Sequence, residues 1–388
     1  MGILSTTTAI CQFRVAGDIP SGDLYPWIAE HLARQAFQSI DQGVAEQSVG
    51  WVHLDDHRQM SFDVPAAFWR DHYVAFTLRR DQRKLPAALV KAYLQVAEHE
   101  HLAASPGLNR VPKQKREELK EAVRLNLLAK TLPVPSTWDA VWDTRTGIVT
   151  FTSLSAPIIE LFETQFKKTF EGTRLVAIHP YARAEAVGGE GLKPALEQAN
   201  LATSDAAIDL IRSNQWLGWD FLLWLLHRTM TDSSEYRVGQ PGPALAGEPF
   251  VAYLNDRLVL MSAGEAGTQK ITVAGPQDHF RETRTALAHG KRITESTLYL
   301  EKEENVWKLT LKGELFHFAS LKSPKVAIEK GDHVDEVSER EAAFYERMYV
   351  LEQGLQLFDS LYGEFLTVRL GAGWGEELAR IEGGLAGE

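Results

Sequence analysis

Apolar positions fall into two rhythms over roughly the first half of the chain. Ile10, Phe13 and Val15 alternate as in a strand, and after the turn-forming Asp18 to Gly22 the apolar residues Leu24, Trp27, Ile28, Leu32 and Phe37 recur at helical spacing. Val49 to Val52 and His72 to Leu78 read as two further strands. Two helices are expected next, from about Pro86 to Ala104 and from about Pro112 to Ala129, broken at Ser105-Pro106-Gly107. They form a helical hairpin, which Pro133 and Pro135 end. Trp138 to Trp142 and Ile148 to Thr152 then make a β-hairpin, followed by a helix from Pro157 to Phe170 and a strand from Arg174 to Ile178. Element content is βαββ before the hairpin and ββαβ after it.

Beyond Gly188-Gly189-Glu190-Gly191, read as a loop, the rhythm changes. A helix from about Ser204 to Arg228 precedes a Gly/Pro-rich loop, Gly239 to Pro249. Strands at Phe250 to Leu254, Leu258 to Ser262 and Gln269 to Ala274 lead to a helix near Gln277 to Ala288. Ile293 to Leu300 and Val306 to Phe318 look like paired strands. From about Asp335 to Leu370, Phe344, Met348, Leu351, Leu355, Phe358, Leu361 and Phe365 keep helical spacing over many turns, which suits core packing and also assembly. Gly371 to Gly375 reads as a loop.

The predicted fold class is therefore α+β. Residues 1–84 and 136–184 form an antiparallel sheet domain, residues 85–135 the helical hairpin that interrupts it, and residues 185–388 a second mixed α+β region ending in a long helix. At 388 residues, with 44% apolar and 24% charged residues, the chain can bury a sizeable core and is not expected to be disordered. A single cysteine, Cys11, excludes an internal disulfide and fits a reducing cytoplasm. The first residues carry no basic segment ahead of an apolar one, so no secretory signal is expected. Trp216 to Leu226, the most apolar run, contains Asp220 and is far shorter than the ~20 residues of a membrane helix. A buried helix is the first reading of that run, and a partner-docking helix the competing one.

Charge changes the picture most. The chain carries 41 Lys and Arg against 52 Asp and Glu, a net −11. Residues 79–130 hold 12 of the basic and 6 of the acidic residues, a local +6, leaving −17 for the remainder. A segregated basic stretch in an acidic chain can face a polyanion such as nucleic acid. At about 100° per residue, Lys113, Arg116, Lys120 and Arg124 fall within an arc of roughly 80° on the second hairpin helix, beside a stripe of Leu119, Val123 and Leu127. Four cations can line one surface there. The competing reading is a solvated face laced by Glu117 to Lys120 and Glu121 to Arg124 pairs, each worth a few tenths of a kcal/mol.

Catalytic patterns are sparse. His289-Gly290-Lys291 lacks the earlier glycine and the following Ser or Thr of a phosphate loop. His53, Asp55, Asp56 and His57 are the best metal-like cluster, but a third separated ligand is missing and an exposed turn is the favoured reading. His99 and His101 stand two apart on a helix and point to different faces. No Gly-x-Ser-x-Gly elbow is present, and no nucleophilic setting surrounds Cys11. No cofactor and no enzymatic activity are expected.

Several separated stretches together resemble the recombination-associated RdgC family of bacterial DNA-binding proteins. Gly50-Trp51-Val52 is similar to its early Gly-Trp-Val. Arg83-Lys84-Leu85-Pro86 with Val90-Lys91 resembles its Lys-Ile-Leu-Pro element and the helix after it. Lys113 to Leu128 is similar to its Lys-rich helix ending in Leu-Leu, and Trp138 to Val149, around Trp142-Asp143-Thr144 and Gly147, to its Trp-Ile-Asp-Thr-x-x-Gly hairpin. The resemblance runs from about residue 45 to 180 and thins afterwards. It implies a non-enzymatic, ring-like homodimer of α+β subunits, cytoplasmic and nucleoid-associated. Its basic inner surface would encircle double-stranded DNA without sequence preference, and a RecA-type recombinase would be modulated. By position it implies that Arg79, Arg83, Lys84 and Lys130 lie toward DNA, with Lys291 a contact from the far part of the chain. The chain departs from the family at Lys130-Thr131-Leu132, where the family has Arg-Ala-Phe. At Thr272 to Gln277 the family's Arg-x-Lys-Lys-Gln is reduced to its Gln, and residues 190–270 are longer than in short members. The alternative is a protein-interaction module of the same fold that holds a recombinase or nuclease through Trp216 to Leu226. A metal nuclease built around His53 or His57 is a third reading.

Overall fold

A computed structural model describes residues 2–105, 107–231, 233–264, 267–276, 280–326 and 336–386. In chain order the elements are β1 (Thr7–Gly17), α1 (Leu24–Arg34), β2 (Gln47–Val52), β3 (Trp69–Arg70), β4 (Tyr73–Gln82), α2 (Ala87–Ala103), α3 (Lys113–Lys130), β5 (Val134–Asp143), β6 (Ile148–Phe151), α4 (Ala156–Thr169) and β7 (Thr173–Ala177). There follow α5 (Pro180–Ala199), α6 (Ala207–Ser213), α7 (Trp216–Met230), β8 (Glu235–Arg237), β9 (Pro249–Gly264), β10 (Gly267–Ala274), α8 (Arg281–Ala288), β11 (Arg292–Lys302), β12 (Asn305–Lys312), β13 (His317–Lys322), α9 (Glu336–Arg369) and α10 (Trp374–Ala386). The class is α+β with extensive antiparallel sheet and a long helix near the C-terminus, as the hydrophobic rhythm implies.

The chain divides into two compact units. The first comprises residues 1–15, 148–159 and 175–388, and the second residues 16–147 and 160–174.

In the second unit β4 is the central strand, antiparallel to β2 on one side and β5 on the other, with the short β3 against its start. Val74, Phe76, Trp51, Val52, Val141 and Trp142 are buried, and Trp142 meets Phe166 and Phe170 of the α4 segment edge-on. Trp51 is fully buried, and its indole N–H donates to Thr169 Oγ1 at 2.7 Å. Gly50 beside it has a steric reason to be glycine, since a Cβ there would stand 2.4 Å from the Phe37 Cα. In the turn after Trp142, the Asp143 carboxylate accepts from the Arg145 backbone N–H and the Thr146 hydroxyl, both at 2.9 Å. The Gly-Trp-Val and Trp-Asp-Thr-x-x-Gly residues are thus packing and turn devices.

In the first unit β10, β9, β11, β12, β13, β1 and β6 lie side by side in that order. Helices α7 and α9 supply an aromatic core in which Phe221 packs edge-on against Phe316, Phe358, Tyr362 and Phe365. Trp216 to Leu226 accordingly forms a core helix, with Leu217, Phe221, Leu222, Trp224, Leu225 and Leu226 buried. That weakens the docking alternative, because most of the apolar side chains it would offer a partner are already covered, with Trp216, Trp219 and Leu223 half-buried. Phe344, Met348, Leu351, Phe358, Leu361 and Phe365 of α9 are buried too, so this stripe belongs to the subunit's own core.

Other boundaries move for physical reasons. Gly188 to Gly191 is part of α5, which is kinked where Gly189 takes φ 55°, a conformation that favours glycine. The two strands expected at 250–262 are one strand, β9, carrying Asp256 at φ 62°. Serine-to-arginine helix 204–228 is α6 and α7, separated near Asn214, whose buried amide bridges Asn200 and the Leu210 carbonyl. Val306 to Phe318 is β12 and β13, and the residues after Gly373 form α10. Pro106, Gln277 and Asp335, where three element limits were expected, lie outside the described residues.

Candidate nucleic-acid interface

The hairpin is built by local signals. Pro86 and Pro112 stand immediately before the first helical residues of α2 and α3, at the positions that proline's fixed φ and missing N–H tolerate. No described residue of α2 is buried, and of α3 only Leu127 and Leu128 are, with Leu119 and Val123 half-buried. Much of the hairpin surface faces solvent.

Lys113, Arg116, Lys120 and Arg124 are all exposed, as the helical arc requires. Three of them already have carboxylate partners. Arg116 pairs across the hairpin with Glu98 at 2.5 Å, Lys120 with Glu117 at 3.5 Å, and Arg124 with Glu46 at 2.5 Å. The side chains of Lys120 and Arg124 and their partners are each about half exposed or more, so each of these pairs contributes only ~0–1 kcal/mol and can yield to a phosphate. Glu46, the partner of Arg124, precedes β2 and was outside the pairing expected for this helix. Where the hairpin joins its sheet, Leu85, Val90, Leu94 and Leu128 floor a cleft of about 520 Å³, with Lys91, Lys120, Arg124 and Glu46 around it. Lys84, Lys113 and Lys130 are exposed but do not line this cleft.

Two of the expected DNA-facing cations are otherwise engaged. Arg83 is only 4% exposed, and its guanidinium donates to the carbonyls of Thr131 and Ala45 at 2.6 Å each, to Ile40 at 2.6 Å and to Asp41 at 3.1 Å. It ties the end of the hairpin to the loop before β2; with four of its five N–H groups engaged and the side chain buried, it is not offered to a phosphate, which corrects its assignment to the DNA surface. Arg79 grips the buried Asp81 with both ends of its guanidinium, at 2.7 and 2.8 Å, and lies over the Phe37 ring at 4.3 Å. Its third bond, to the His57 carbonyl, is 2.9 Å, and the Asp81 hydrogen bonds push its pKa up. Arg79 therefore holds the sheet face together. The alternation Arg79, Asp81, Arg83 at the end of β4 and just past it is the signal that could have revealed both roles. Lys291 precedes β11 in the first unit, 3.2 Å from Gln269 Oε1.

The metal-like cluster also comes apart. Asp55 pairs with the buried Arg70, and Asp56 with Arg58, whose hydrogen bonds lower the Asp56 pKa to about 2. His53 bonds the Ser61 carbonyl, and His57 stands 4.0 Å from Asp139. Among the described residues no three His, Cys, Asp or Glu side chains gather closely enough to hold a metal ion. No helix among them is long and apolar enough to cross a membrane.

A protein-family model described as "Putative exonuclease, RdgC" matches residues 12–193, a stretch that includes the whole hairpin. No curated protein matches the chain.

Proposed function

We propose, from the match of residues 12–193 to the RdgC family model, which suggests a recombination-related, DNA-associated role, a non-enzymatic, sequence-independent DNA-binding clamp. It would act as a homodimeric ring on double-stranded DNA in the cytoplasm, associated with the nucleoid, and restrict the access of a RecA-type recombinase or of nucleases. The observation that carries this reading is the exposed row Lys113, Arg116, Lys120 and Arg124 on α3, inside the family-matched segment. Such a row, with no base-reading side chain presented in a fixed pocket, suits contact with phosphates, which carry no sequence information. Lys91 shares a cleft with Lys120 and Arg124, and the exposed Lys84 and Lys130 would add further phosphate contacts.

Assembly is supported by α2, where the exposed apolar residues Leu89, Tyr93 and Val96 stand at positions i, i+4 and i+7. A second copy that covered this stripe would remove apolar surface from water. The non-enzymatic part of the reading is supported by the separate engagements of Asp55, Asp56 and His57. Purified protein given duplex with Mg²⁺, Mn²⁺ or Zn²⁺ should leave it intact. Metal-dependent degradation lost in Asp55→Ala/His57→Ala would establish the nuclease reading that the family's description names.

Binding to duplexes of unrelated sequence, followed by anisotropy across a salt series, tests the interface. Replacing Lys113, Arg116, Lys120 and Arg124 by Ala should weaken binding equally for every sequence. The slope of log K against log salt should fall by roughly 3 to 4, since each of the four phosphate contacts contributes about 0.9. An unchanged slope in a folded variant would mean that this face is only solvated.

A further inference from the structure

The first unit contains a cavity that the DNA-binding reading does not use. It measures about 410 Å³ and lies among α7, the end of α8, the start of β11 and α10. Leu223, Leu287, Ile293 and Leu385 give it an apolar lining. Three donors stand in the same wall: the indole of Trp219, Lys291 and Arg292. The Arg292 guanidinium lies over the Trp219 ring at 4.9 Å, and the Trp219 Nε1 is buried with no acceptor.

Two carboxylates restrict what can enter. Asp220 is held by Arg369 at 2.7 Å, while burial pushes its pKa up against that pairing. Glu382 lies on the exposed side of α10. Both disfavour a multiply charged phosphate group and leave room for a single negative charge met by Lys291 and Arg292. At ~30 Å³ per water-sized group the cavity holds ~14 such groups, the scale of a small metabolite.

We propose that this cavity is a ligand site for a small monocarboxylate with an apolar body, its carboxylate taken by Lys291 and Arg292 and its body by the leucine and isoleucine lining. Lys291 then serves this site rather than a DNA surface. Because Glu382 and Leu385 line the cavity from α10, an occupant also braces that helix against α7. This reading is independent of the DNA clamp and survives or fails without it.

Calorimetric titration of the full chain with octanoate tests it, with octanol as the uncharged counterpart. Octanoate should bind saturably at one site, and octanol at least fivefold more weakly. Lys291→Glu/Arg292→Glu should weaken octanoate at least tenfold. Ala288→Trp, at an exposed position on the cavity rim, should abolish binding while leaving the circular dichroism spectrum unchanged. Amide exchange in residues 374–386 should slow when octanoate is added. Non-saturable uptake, equal binding of octanol, or full affinity in folded Ala288→Trp would each overturn the assignment. The steric variant decides the matter even where the double charge reversal disturbs the fold.

Discussion

The α2–α3 hairpin and the core around α9 hold their arginines in opposite ways. On the hairpin Arg116 and Arg124 are about half exposed and each meets one carboxylate across a wet surface. In the core Arg183 is 5% exposed, pairs with Asp359, bonds Gln12 and lies against the Phe318 and Phe358 rings at 5.3 and 5.6 Å. Arg347 is buried as well, donates to the Ile3 carbonyl at 2.8 Å and to Ser323, and has its pKa lowered to about 10 by burial. A buried cation is fixed by its partners and its loss unbalances the fold, whereas a wet one can exchange partners at little cost. Availability to a ligand therefore follows from solvent exposure and from the number of bonds already made, and much less from the local count of basic residues.

Removing a core arginine should break this contrast most visibly. Arg183→Ala leaves the Asp359 carboxylate in a site where burial already raises its pKa, and should cost about 3–5 kcal/mol in urea denaturation. Arg183→Met with Asp359→Leu, which removes both charges, should recover much of that loss. If Arg183→Ala unfolded within about 1 kcal/mol of the parent, the core pair would be no more committed than those on the hairpin.

Comparison of the two regions also marks what could be read from the chain. The hairpin was legible almost to the residue because its limits are set locally, by Pro86 before α2 and Pro112 before α3. The arc of Lys113, Arg116, Lys120 and Arg124 followed from helical geometry alone. Arg83 was not legible, because its bonds go to carbonyls of residues 40, 41, 45 and 131, which only the folded chain brings together. Helix α10 was hidden by the glycines at 371, 373 and 375, although Trp374 packs edge-on to Phe365 and Ile381 is fully buried. The single strand β9 was hidden by Asn255-Asp256, a turn-like pair accommodated within the strand through the positive φ of Asp256. The cavity beside Trp219 had no sequence signature, since its lining comes from four elements.

A smaller effect in the same core comes from pH. Burial, with Lys312 opposite it in the β12–β13 register, lowers the His317 pKa from 6.5 to about 4. The unfolded chain then binds a proton near pH 6.5 that the folded chain refuses until about pH 4. Stability contributed by neutral His317 is complete above pH 6.5 and is lost as pH falls toward 4, by up to about 3 kcal/mol. His317→Gln should flatten the stability profile across that window relative to the parent. Parallel profiles for the two proteins would show that this imidazole titrates as if in water.

The smallest expected effect sharpens the hairpin side. If Arg116 and Arg124 are to meet phosphates, Glu98 and Glu46 compete with the DNA for them, at 2.5 Å in each case. Glu98→Gln/Glu46→Gln removes the competing charge without removing the side-chain volume, so duplex affinity should rise two- to fivefold at low salt, about 0.4–1 kcal/mol. The gain should fade as salt screens the surface, and stability in urea should change by less than about 1 kcal/mol, because these pairs contribute little to folding. Core carboxylates offer no such gain, since Asp359→Asn would leave Arg183 buried without its counter-charge and would lower stability instead. Unchanged or weaker duplex binding in the folded Glu98→Gln/Glu46→Gln variant would mean that the two arginines stay with the protein when DNA is bound, and the phosphate contacts would then fall to Lys113, Lys120 and the exposed lysines 84, 91 and 130.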